Sequence, residues 1–256
     1  MEILTIVLAS LFAVIAPAGV LLEGVLSSFI SSNIHSAEKI ALRIDNRPSY
    51  AVVSGHLDHL RIATRGIEPI EDIRLDVLEI ESDPVDIDLG TLRAGNLRQS
   101  LRHSLQGALR IELKQSDLNK ALASAKIKNK IEQLLPKEIA KQFAIVQINS
   151  RFLADNKISL NLQLKQIEDG RLWNLTLESK LKIIGGHTLQ LLDPVGSLNG
   201  RKLSAKLLKN VVDGLNPQLD LTRLEKNGIT ARVLQLKLED GLLRLAFFVR
   251  LDPLST

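Results

Sequence analysis

Alternation of apolar and polar residues constrains the fold of this chain more than any other feature of its sequence. In ISLNLQLKQI (158–167), isoleucine or leucine stands at every second position from 158 to 164. IRLDVLEI (73–80) and VDIDLG (85–90) follow the same two-residue period over most of their length. Because successive side chains of a strand point to opposite faces, each segment predicts a strand with one apolar and one solvated face. Such strands are typical of antiparallel sheets.

Two Asp-Gly pairs, at 169–170 and 240–241, predict tight hairpin turns, since both positions of a two-residue turn favour a positive φ. The first turn sets three expected cross-strand pairs: Leu164 with Leu175, Leu162 with Leu177, and Ile158 with Leu181. The second sets three more: Leu238 with Leu243, Leu236 with Leu245, and Leu234 with Phe247. In both hairpins the apolar faces coincide, which supports the predicted register.

Helical periodicity is confined to a few segments. One helix is expected from Ser116 to Leu135, ending before Pro136, with Ser116 as its N-cap and Asp117 favourably placed in the helix dipole. A second is expected over RKLSAKLLKNVVDGL (201–215). Each helix is followed by strands that end in an Asp-Gly hairpin, so the sequence predicts the same helix-and-hairpin arrangement twice. The predicted fold class is α+β: a curved, mainly antiparallel sheet packed around a few amphipathic helices, forming an apolar groove.

The 256 residues include no cysteine, which excludes disulfides, thiolate catalysis and iron–sulfur clusters. Aromatic residues make up only 3% of the chain against 45% hydrophobic residues, so the apolar surfaces are largely aliphatic. No composition break demands two independent folding units. We therefore expect an apolar N-terminal segment over residues 1–20 and a single α+β domain over residues 21–256.

The N-terminus carries fourteen uncharged residues, ILTIVLASLFAVIA (3–16), followed by a proline. This segment fits either a cleaved secretory signal or a retained membrane anchor that extends to about Leu22. The region before it has no lysine or arginine, and the nearest basic residues lie downstream at Lys39, Arg43 and Arg47. The positive-inside rule then favours an anchor with the folded body on the cytoplasmic side of the membrane.

Sequence motifs for catalysis, nucleotide binding or metal binding are missing from the chain. His56 and His59 are three residues apart in a predicted strand, a spacing that puts them on opposite faces. Asp83, Asp86 and Asp88 lack the glycine and distal glutamate of a calcium loop. We expect no catalytic residue, no metal and no cofactor. A lipid hydrolase that uses Ser116 or Ser197 is the last-ranked alternative.

Charge is unevenly distributed along the chain. The stretch 68–88 has nine acidic residues and one arginine, whereas 93–141 has eleven lysines or arginines and four acids. A basic stretch favours an anionic partner, although a solvated helix face gives the same pattern. Since 93–141 has no aromatic residue to stack bases, nucleic acid is not the expected partner. The expected partners are phospholipid and a membrane surface. The sequence leaves the oligomeric state open.

Four segments together identify a resemblance: YAVVSGHLDHLRIATRGIE (50–68), VLEIESDPVDIDLG (77–90), LRIELKQSDLNKAL (109–122) and GITARVLQLKLEDGLLRL (228–245). In this order they resemble the LmeA-type phospholipid-binding family over about Leu21 to Leu251. The resemblance implies a non-enzymatic α+β domain, similar to one half of a tubular lipid-binding protein, with phospholipid as its ligand. It implies no catalytic residue.

The expected function is non-enzymatic phospholipid binding or shuttling at a membrane, with acyl chains in an aliphatic groove between sheet and helices. The alternative is a membrane-associated structural or scaffold module whose core is completely packed. Candidate chain-contacting residues are Leu118, Leu122, Ile131, Leu207, Val211 and Leu215 from the helices, and Trp173, Leu175, Leu236 and Phe247 from the sheet. Candidate head-group contacts are Arg110, Lys114, Lys126 and Lys130.

Overall fold

The computed structural model describes residues 34–94, 96–134, 140–239 and 241–254. It confirms the predicted fold class, because mostly antiparallel strands are combined with a smaller helical content. The expected N-terminal segment over residues 1–20 lies outside the described residues. None of the helices in the described ranges is long and apolar enough to cross a bilayer.

Thirteen strands are described in these ranges. They are β1 (Ser36–Asp45), β2 (His56–Leu57), β3 (His59–Ile70), β4 (Ile73–Ser82), β5 (Val85–Asp86), β6 (Leu105–Lys114), β7 (Phe143–Leu153), β8 (Lys157–Gln166), β9 (Leu172–Ile184), β10 (Thr188–Leu198), β11 (Arg201–Lys202), β12 (Ile229–Glu239) and β13 (Leu242–Leu251). The described α-helices are α1 (Leu89–Arg93), α2 (Leu97–Ser100), α3 (Gln115–Ala123), α4 (Ala125–Leu134) and α5 (Ala205–Leu215). Short 3-10 helices span Ser49–Ser54, Asn216–Leu219 and Leu221–Asn227.

A six-stranded sheet in the order β1-β3-β4-β6-β13-β12 forms the larger half of the fold. Its inner face supplies buried side chains such as Leu60, Leu78 and Leu109, each at most 1% exposed. The cover comes from the β2–β5 ribbon, α1, the segment after α2 and the 3-10 helix 221–227, whose apolar side chains belong to the same buried cluster. This sheet therefore encloses a filled core.

A five-stranded sheet in the order β11-β10-β9-β8-β7 forms the other half. Helices α3 and α4 pack against β7 at one side of this sheet, and α5 packs against β10 near the other. The sequence predicted the same arrangement of a helix and a following hairpin twice. This prediction is wrong, because the strands that follow the two helices belong to different sheets. The strands after α4 build this sheet, whereas β12 and β13, which follow α5, join the six-stranded sheet, where β13 pairs with β6 and β12 pairs with β13.

Side chains from α3 and α4 hydrogen-bond to the edge strand β7. Asn119 donates to the carbonyl of Ser150 (3.1 Å) and accepts from its amide (2.6 Å), as a neighbouring strand would. The amides of Phe152 and Ile145 donate to the side chains of Gln115 and Glu132, at 2.7 and 2.8 Å. An edge strand otherwise presents unpaired amides to solvent. The two helices thus supply hydrogen-bond partners for some backbone groups of this edge strand.

The predicted register of the second hairpin is confirmed near its turn, where Leu238 pairs with Leu243 and Leu236 with Leu245. The third predicted pair is wrong, because a bulge shifts the register so that Val233 pairs with Phe247. The displaced Leu234 is 67% exposed. A bulge adds one residue to one strand only, and alternation in the sequence does not mark where it falls.

The predicted register of the first hairpin is wrong by two residues. Leu164 pairs with Trp173, Leu162 with Leu175 and Ile158 with Ser179. The loop holds four residues, 167–170, between Gln166 and Arg171, whose backbones are hydrogen-bonded. Because side chains alternate with period two, a two-residue shift leaves every side chain on its predicted face. The face was predicted correctly, whereas the partners were not.

Within the described residues, the helix predicted over 116–135 is two helices, since Ser124 takes an extended conformation between α3 and α4. Its predicted end at Leu135 lies outside those residues. Ser116 is not the N-cap: the helix begins at Gln115, and Lys114 precedes it without a side-chain cap bond. In the second predicted helix, Arg201 and Lys202 form β11 instead. Ser204 is the N-cap of α5, and its hydroxyl accepts from the amide of Leu207.

Candidate functional site

The inner face of the five-stranded sheet carries rows of aliphatic side chains that run across its strands. Leu160 of β8 pairs with Leu177 of β9, and Leu162 pairs with Leu175 in the next row. All four are only partly buried, in contrast to the fully buried leucines of the six-stranded sheet. We call these four residues the leucine strip. The strip lies between β7, against which α3 and α4 pack, and β10, against which α5 packs.

One side of the leucine strip is bounded by α3 and α4. Five predicted residues come together there, because Leu122 belongs to a small buried cluster with Ile127 and Ile145, and four others pack against it. Those four are Leu118, Ile131, Trp173 and Leu175. The indole of Trp173 donates to Gln166 (3.1 Å) and meets Phe143 edge-on, with ring centroids 6.1 Å apart.

The opposite side is bounded by α5. Leu208 and Val212, which sequence analysis did not select, are the buried residues of this helix. A Cβ added at Gly196 would come 2.9 Å from Leu177 and 3.0 Å from Leu208, so this glycine allows the helix to approach the sheet. Leu207 is 46% exposed. The predicted apolar side of α5 included both buried and exposed residues, so it did not show which of them face the sheet.

Val211 and Leu215, the other two predicted residues of α5, are half-buried. They belong to none of the three buried clusters formed by the described residues and are not packed against one. The same is true of Leu160 and Leu177 in the middle of the strip. The alternating pattern predicts that these two leucines lie on the apolar face, but no local signal separates them from leucines that become core.

The two remaining sheet candidates lie apart from the strip. Leu236 of β12 packs against a third cluster, formed by Phe152, Leu181 and Leu238, where the two sheets meet. Phe247 is 4% exposed and belongs to the filled core of the six-stranded sheet. The structure therefore places Leu236 at the end of the strip, whereas Phe247 is not brought to it.

The predicted head-group cations are not gathered at the strip. Arg110 is paired with Glu79 (2.7 Å) and Glu112 (2.5 Å) on the six-stranded sheet, and the hydrogen bond from Glu79 raises the arginine pKa. Lys114 pairs with Asp76 at 2.6 Å and Lys126 with Glu71 at 3.3 Å. Lys130 is half-buried on α4. Paired cations are poor candidates, because a ligand has to displace their carboxylates.

The polar cluster around His56 is held together by hydrogen bonds. His56 lies 2.7 Å from Asp86 and 3.2 Å from Asp58, and the hydrogen bond with Asp86 raises the histidine pKa. No hydrogen bond joins Ser116 or Ser197 to a histidine within the described ranges. Nor does any group of three or more His, Asp or Glu side chains there have the arrangement of a metal site.

Comparison with known proteins identifies the family. A family model described as LmeA-like phospholipid-binding matches residues 13–248 of the 256. No curated protein and no solved structure matches the chain. Since the family model covers nearly the whole chain, the protein belongs to the LmeA-like phospholipid-binding family, as the four sequence segments predicted.

Proposed function

We propose that this member of the LmeA-like phospholipid-binding family binds phospholipid without chemical conversion, with the acyl chains along the leucine strip. The family description supports a phospholipid ligand. Helices α3 and α4 would form one wall of the resulting groove, and α5 would form the other. Leu118, Leu122 and Ile131 then contact the chains from the first wall, and Val211 and Leu215 from the second.

The observation that carries the proposal is the half-buried state of Leu160 and Leu177. These leucines face each other across β8 and β9 in the centre of a sheet, where side chains are normally covered. Burying a methylene group contributes about 0.8 kcal/mol, so a few chain segments over the strip supply enough free energy for stable binding. A branched aliphatic lining also suits flexible acyl chains better than flat rings.

We further propose that the protein works at a membrane surface, from which it takes up or to which it delivers lipid. The apolar segment 3–16 would hold it there, with the folded domain on the cytoplasmic side. Both statements derive from the sequence pattern at the N-terminus.

Native mass spectrometry of gently purified protein tests the ligand. We expect the protein to carry co-purified phospholipid, identified by mass and fragmentation. Protein that is lipid-free and also takes up no lipid from anionic vesicles would contradict the proposal and favour the scaffold alternative.

Leu160→Trp tests the location, because an indole in the middle of the strip occupies the space proposed for the chains. We expect it to reduce lipid occupancy at least about fivefold, the loss of roughly 1 kcal/mol of chain contacts. The matched control is Leu172→Trp, a 54% exposed position on the opposite face of β9. Both variants are checked for folding by circular dichroism, and equal occupancy in the two would exclude the strip as the binding surface.

A further inference from the structure

The cations of the two sheets differ in how they are neutralised. In the strands of the six-stranded sheet, every lysine and arginine except Lys39 forms an ion pair. In the strands of the five-stranded sheet, none of them forms one with another described residue. These cations are Arg151, Lys157, Lys165, Lys180, Lys182, Arg201 and Lys202. Folding therefore leaves positive charge on this sheet that the carboxylates of the described residues do not neutralise.

Strand register places all of these cations except Arg201 on the face of the sheet that is opposite to the leucine strip. Leu160 pairs with Leu177 and Lys157 pairs with Lys180, and each lysine is an odd number of residues away from the leucine of its own strand. Because successive side chains of a strand point to opposite faces, these lysines and the strip lie on different faces. We call the face that bears the lysines the outer face. By the same rule it carries Arg151, Lys157, Lys165, Lys180, Lys182 and Lys202.

Four of the outer-face cations gather near the end of the sheet where β9 ends. Lys180 lies directly opposite Lys157, and Lys182 follows two residues later on the same face, with all three side chains exposed. Arg151 of β7 is also exposed and stands in the neighbouring row of this face. Like charges at directly opposed positions destabilise a strand pair. Since Glu178 is the only acidic residue that a paired position of these strands assigns to the outer face, an anionic partner would relieve this repulsion.

Exposed aliphatic side chains lie among these cations. Leu172, Ile184 and Val195 are on the outer face and are 54%, 41% and 57% exposed. Leu172 lies opposite Lys165, and Ile184 follows Lys182 by two residues. A single exposed aliphatic residue is ordinary for a protein surface. Here, however, several of them share one face with ammonium groups that have no described carboxylate partner.

The aromatic residues of these strands, in contrast, lie on the side of the strip. Phe152 pairs with Ile158, and the ring of Phe143 meets that of Trp173 on the strip side. Surfaces that bind single-stranded nucleic acid combine cations with aromatic rings that stack on the bases, so the outer face is a poor match for nucleic acid. At an anionic bilayer, ammonium groups meet lipid phosphates and aliphatic side chains enter the boundary between head groups and acyl chains. The outer face has the charge and the apolar side chains for that partner.

We propose that the outer face of the five-stranded sheet is a docking surface for an anionic lipid bilayer. The four cations near the end of β9 contact lipid phosphates, and the exposed aliphatic side chains beside them enter the interface. This inference rests on the proposed function for the membrane as the place of action, and it names the surface that meets the membrane. Docking by the outer face leaves the leucine strip on the other side of the sheet uncovered. The bilayer contact and the proposed chain-binding surface are therefore separate sites.

Co-sedimentation of the intact chain with vesicles tests the docking surface. Mixed vesicles of phosphatidylcholine and phosphatidylglycerol are compared with vesicles of phosphatidylcholine alone. We expect the wild-type protein to bind the mixed vesicles at least about tenfold more tightly, and this preference to weaken in high salt. The variant Lys157→Gln/Lys180→Gln/Lys182→Gln should bind the mixed vesicles at least about tenfold more weakly than wild type, since each cation near an anionic surface contributes about fivefold.

The matched control is Arg201→Gln/Lys206→Gln/Lys209→Gln, which removes the same charge from exposed cations on the side of the strip. Arg201 pairs with Leu198 on that face, and α5 approaches the same face at Gly196. Because charges that lie farther than about 10 Å from the lipid phosphates are largely screened, the control should stay within about threefold of wild type. Circular dichroism checks that both variants fold. Equal losses in the two would overturn the docking surface in favour of attraction by net charge, and an unchanged affinity in the first variant would overturn it outright.

A fluorescent label gives a second readout that does not depend on removing charge. Since the chain has no cysteine, the variant Val195→Cys can be labelled at a single position with a polarity-sensitive dye. We expect the dye emission to shift to the blue on mixed vesicles, because this position of the outer face enters the interface. The control is Val53→Cys, a 75% exposed position in the 3-10 helix Ser49–Ser54, where no shift is expected. Equal shifts in the two variants, or no shift in Val195→Cys, would overturn the proposed orientation.

Further outcomes separate the class of partner and the underlying function. If the wild type binds a single-stranded RNA homopolymer more tightly than mixed vesicles and the lysine triple variant loses that binding, the outer face is a nucleic-acid surface and the docking proposal fails. If the outer face binds vesicles as expected but the purified protein carries no phospholipid, the docking surface stands and the chain-binding proposal fails. If phospholipid co-purifies while the lysine triple variant binds vesicles like wild type, the reverse holds.

Discussion

The two sheets of this protein are built from the same alternating pattern but end in different states. The six-stranded sheet buries its apolar face beneath a cover of short elements and pairs nearly all its cations. The five-stranded sheet has α3 and α4 along β7, α5 along β10, and the half-buried leucine strip between them. The lysines and arginines of its strands form no ion pair within the described part of the chain. The first sheet is organised for stability. The second retains apolar surface that is only partly covered.

Two identical substitutions, one in each sheet, test the difference between the filled core and the leucine strip. Leu109→Ala removes a side chain that is 1% exposed and should lower the free energy of unfolding by about 3 kcal/mol, because it leaves a cavity in a filled core. Leu160→Ala should cost less than about 1 kcal/mol, since its side chain is only partly buried. Urea denaturation of lipid-free protein measures both, and equal costs would mean that the strip is ordinary core.

The junction between the sheets depends on a buried carboxylate. Asp117, which is 4% exposed, accepts from Arg74 of β4 at 2.6 Å, and Lys120 is 3.9 Å away. Arg74→Met should lower the unfolding free energy by about 2 kcal/mol, because removing one partner leaves a buried charge without its main hydrogen-bond donor.

The control for that variant is Ser116→Ala, one residue before Asp117. Since Ser116 is exposed and is not the N-cap, the change should cost less than about 0.5 kcal/mol. Thermal unfolding of the two variants side by side distinguishes them. A loss near 1 kcal/mol for Ser116→Ala would restore the capping role that the sequence predicted.

The open sheet also depends on its helices for a closed edge. Asn119→Ala removes both hydrogen bonds to the backbone of Ser150 and should cost about 1–2 kcal/mol. Freed edge amides also favour pairing with a second chain. Denaturation gives the stability, and size-exclusion chromatography with light scattering gives the oligomeric state. Unchanged stability would show that water replaces the asparagine without loss.

The smallest expected effect concerns the ion pairs of the closed sheet. Burial raises the pKa of Glu79, but hydrogen bonds and charge from Arg110 and Arg65 outweigh it and hold the pKa below its ordinary value of 4.5. The unfolded chain therefore binds a proton at higher pH than the folded one, so stability is lost as the pH falls through the folded-state pKa.

Glu79→Gln should accordingly weaken the loss of stability below about pH 4.5 while changing stability at pH 7 by about 1 kcal/mol or less, since the pair is partly exposed. Glu178→Gln on the five-stranded sheet, where the glutamate forms no ion pair with another described residue, is the matched control and should change acid stability less than Glu79→Gln does. If stability falls equally steeply with decreasing pH in the wild type and in Glu79→Gln, the loss does not come from the protonation of Glu79.

Local chemistry predicted the strands and their faces well. Leu162 and Leu164 lie on the expected face even though their partners are shifted by two residues. The reason is that side chains alternate between the two faces of a strand, so a shift by an even number of residues does not change the face. Helix boundaries were less accurate: the break at Ser124 and the start at Gln115 are not marked by proline or glycine. The bulge that displaces Leu234 has no sequence mark either.

The sequence by itself determined the α+β class, the apolar faces, the family and the aliphatic character of its surfaces. Only the tertiary structure decided that β13 pairs with β6, that Leu160 and Leu177 remain half-buried, and that Lys157 meets Lys180. The reason is physical: alternation depends on neighbours two residues apart, whereas cover and charge pairing depend on segments distant in sequence. A leucine on an apolar face becomes core or ligand surface according to what packs over it.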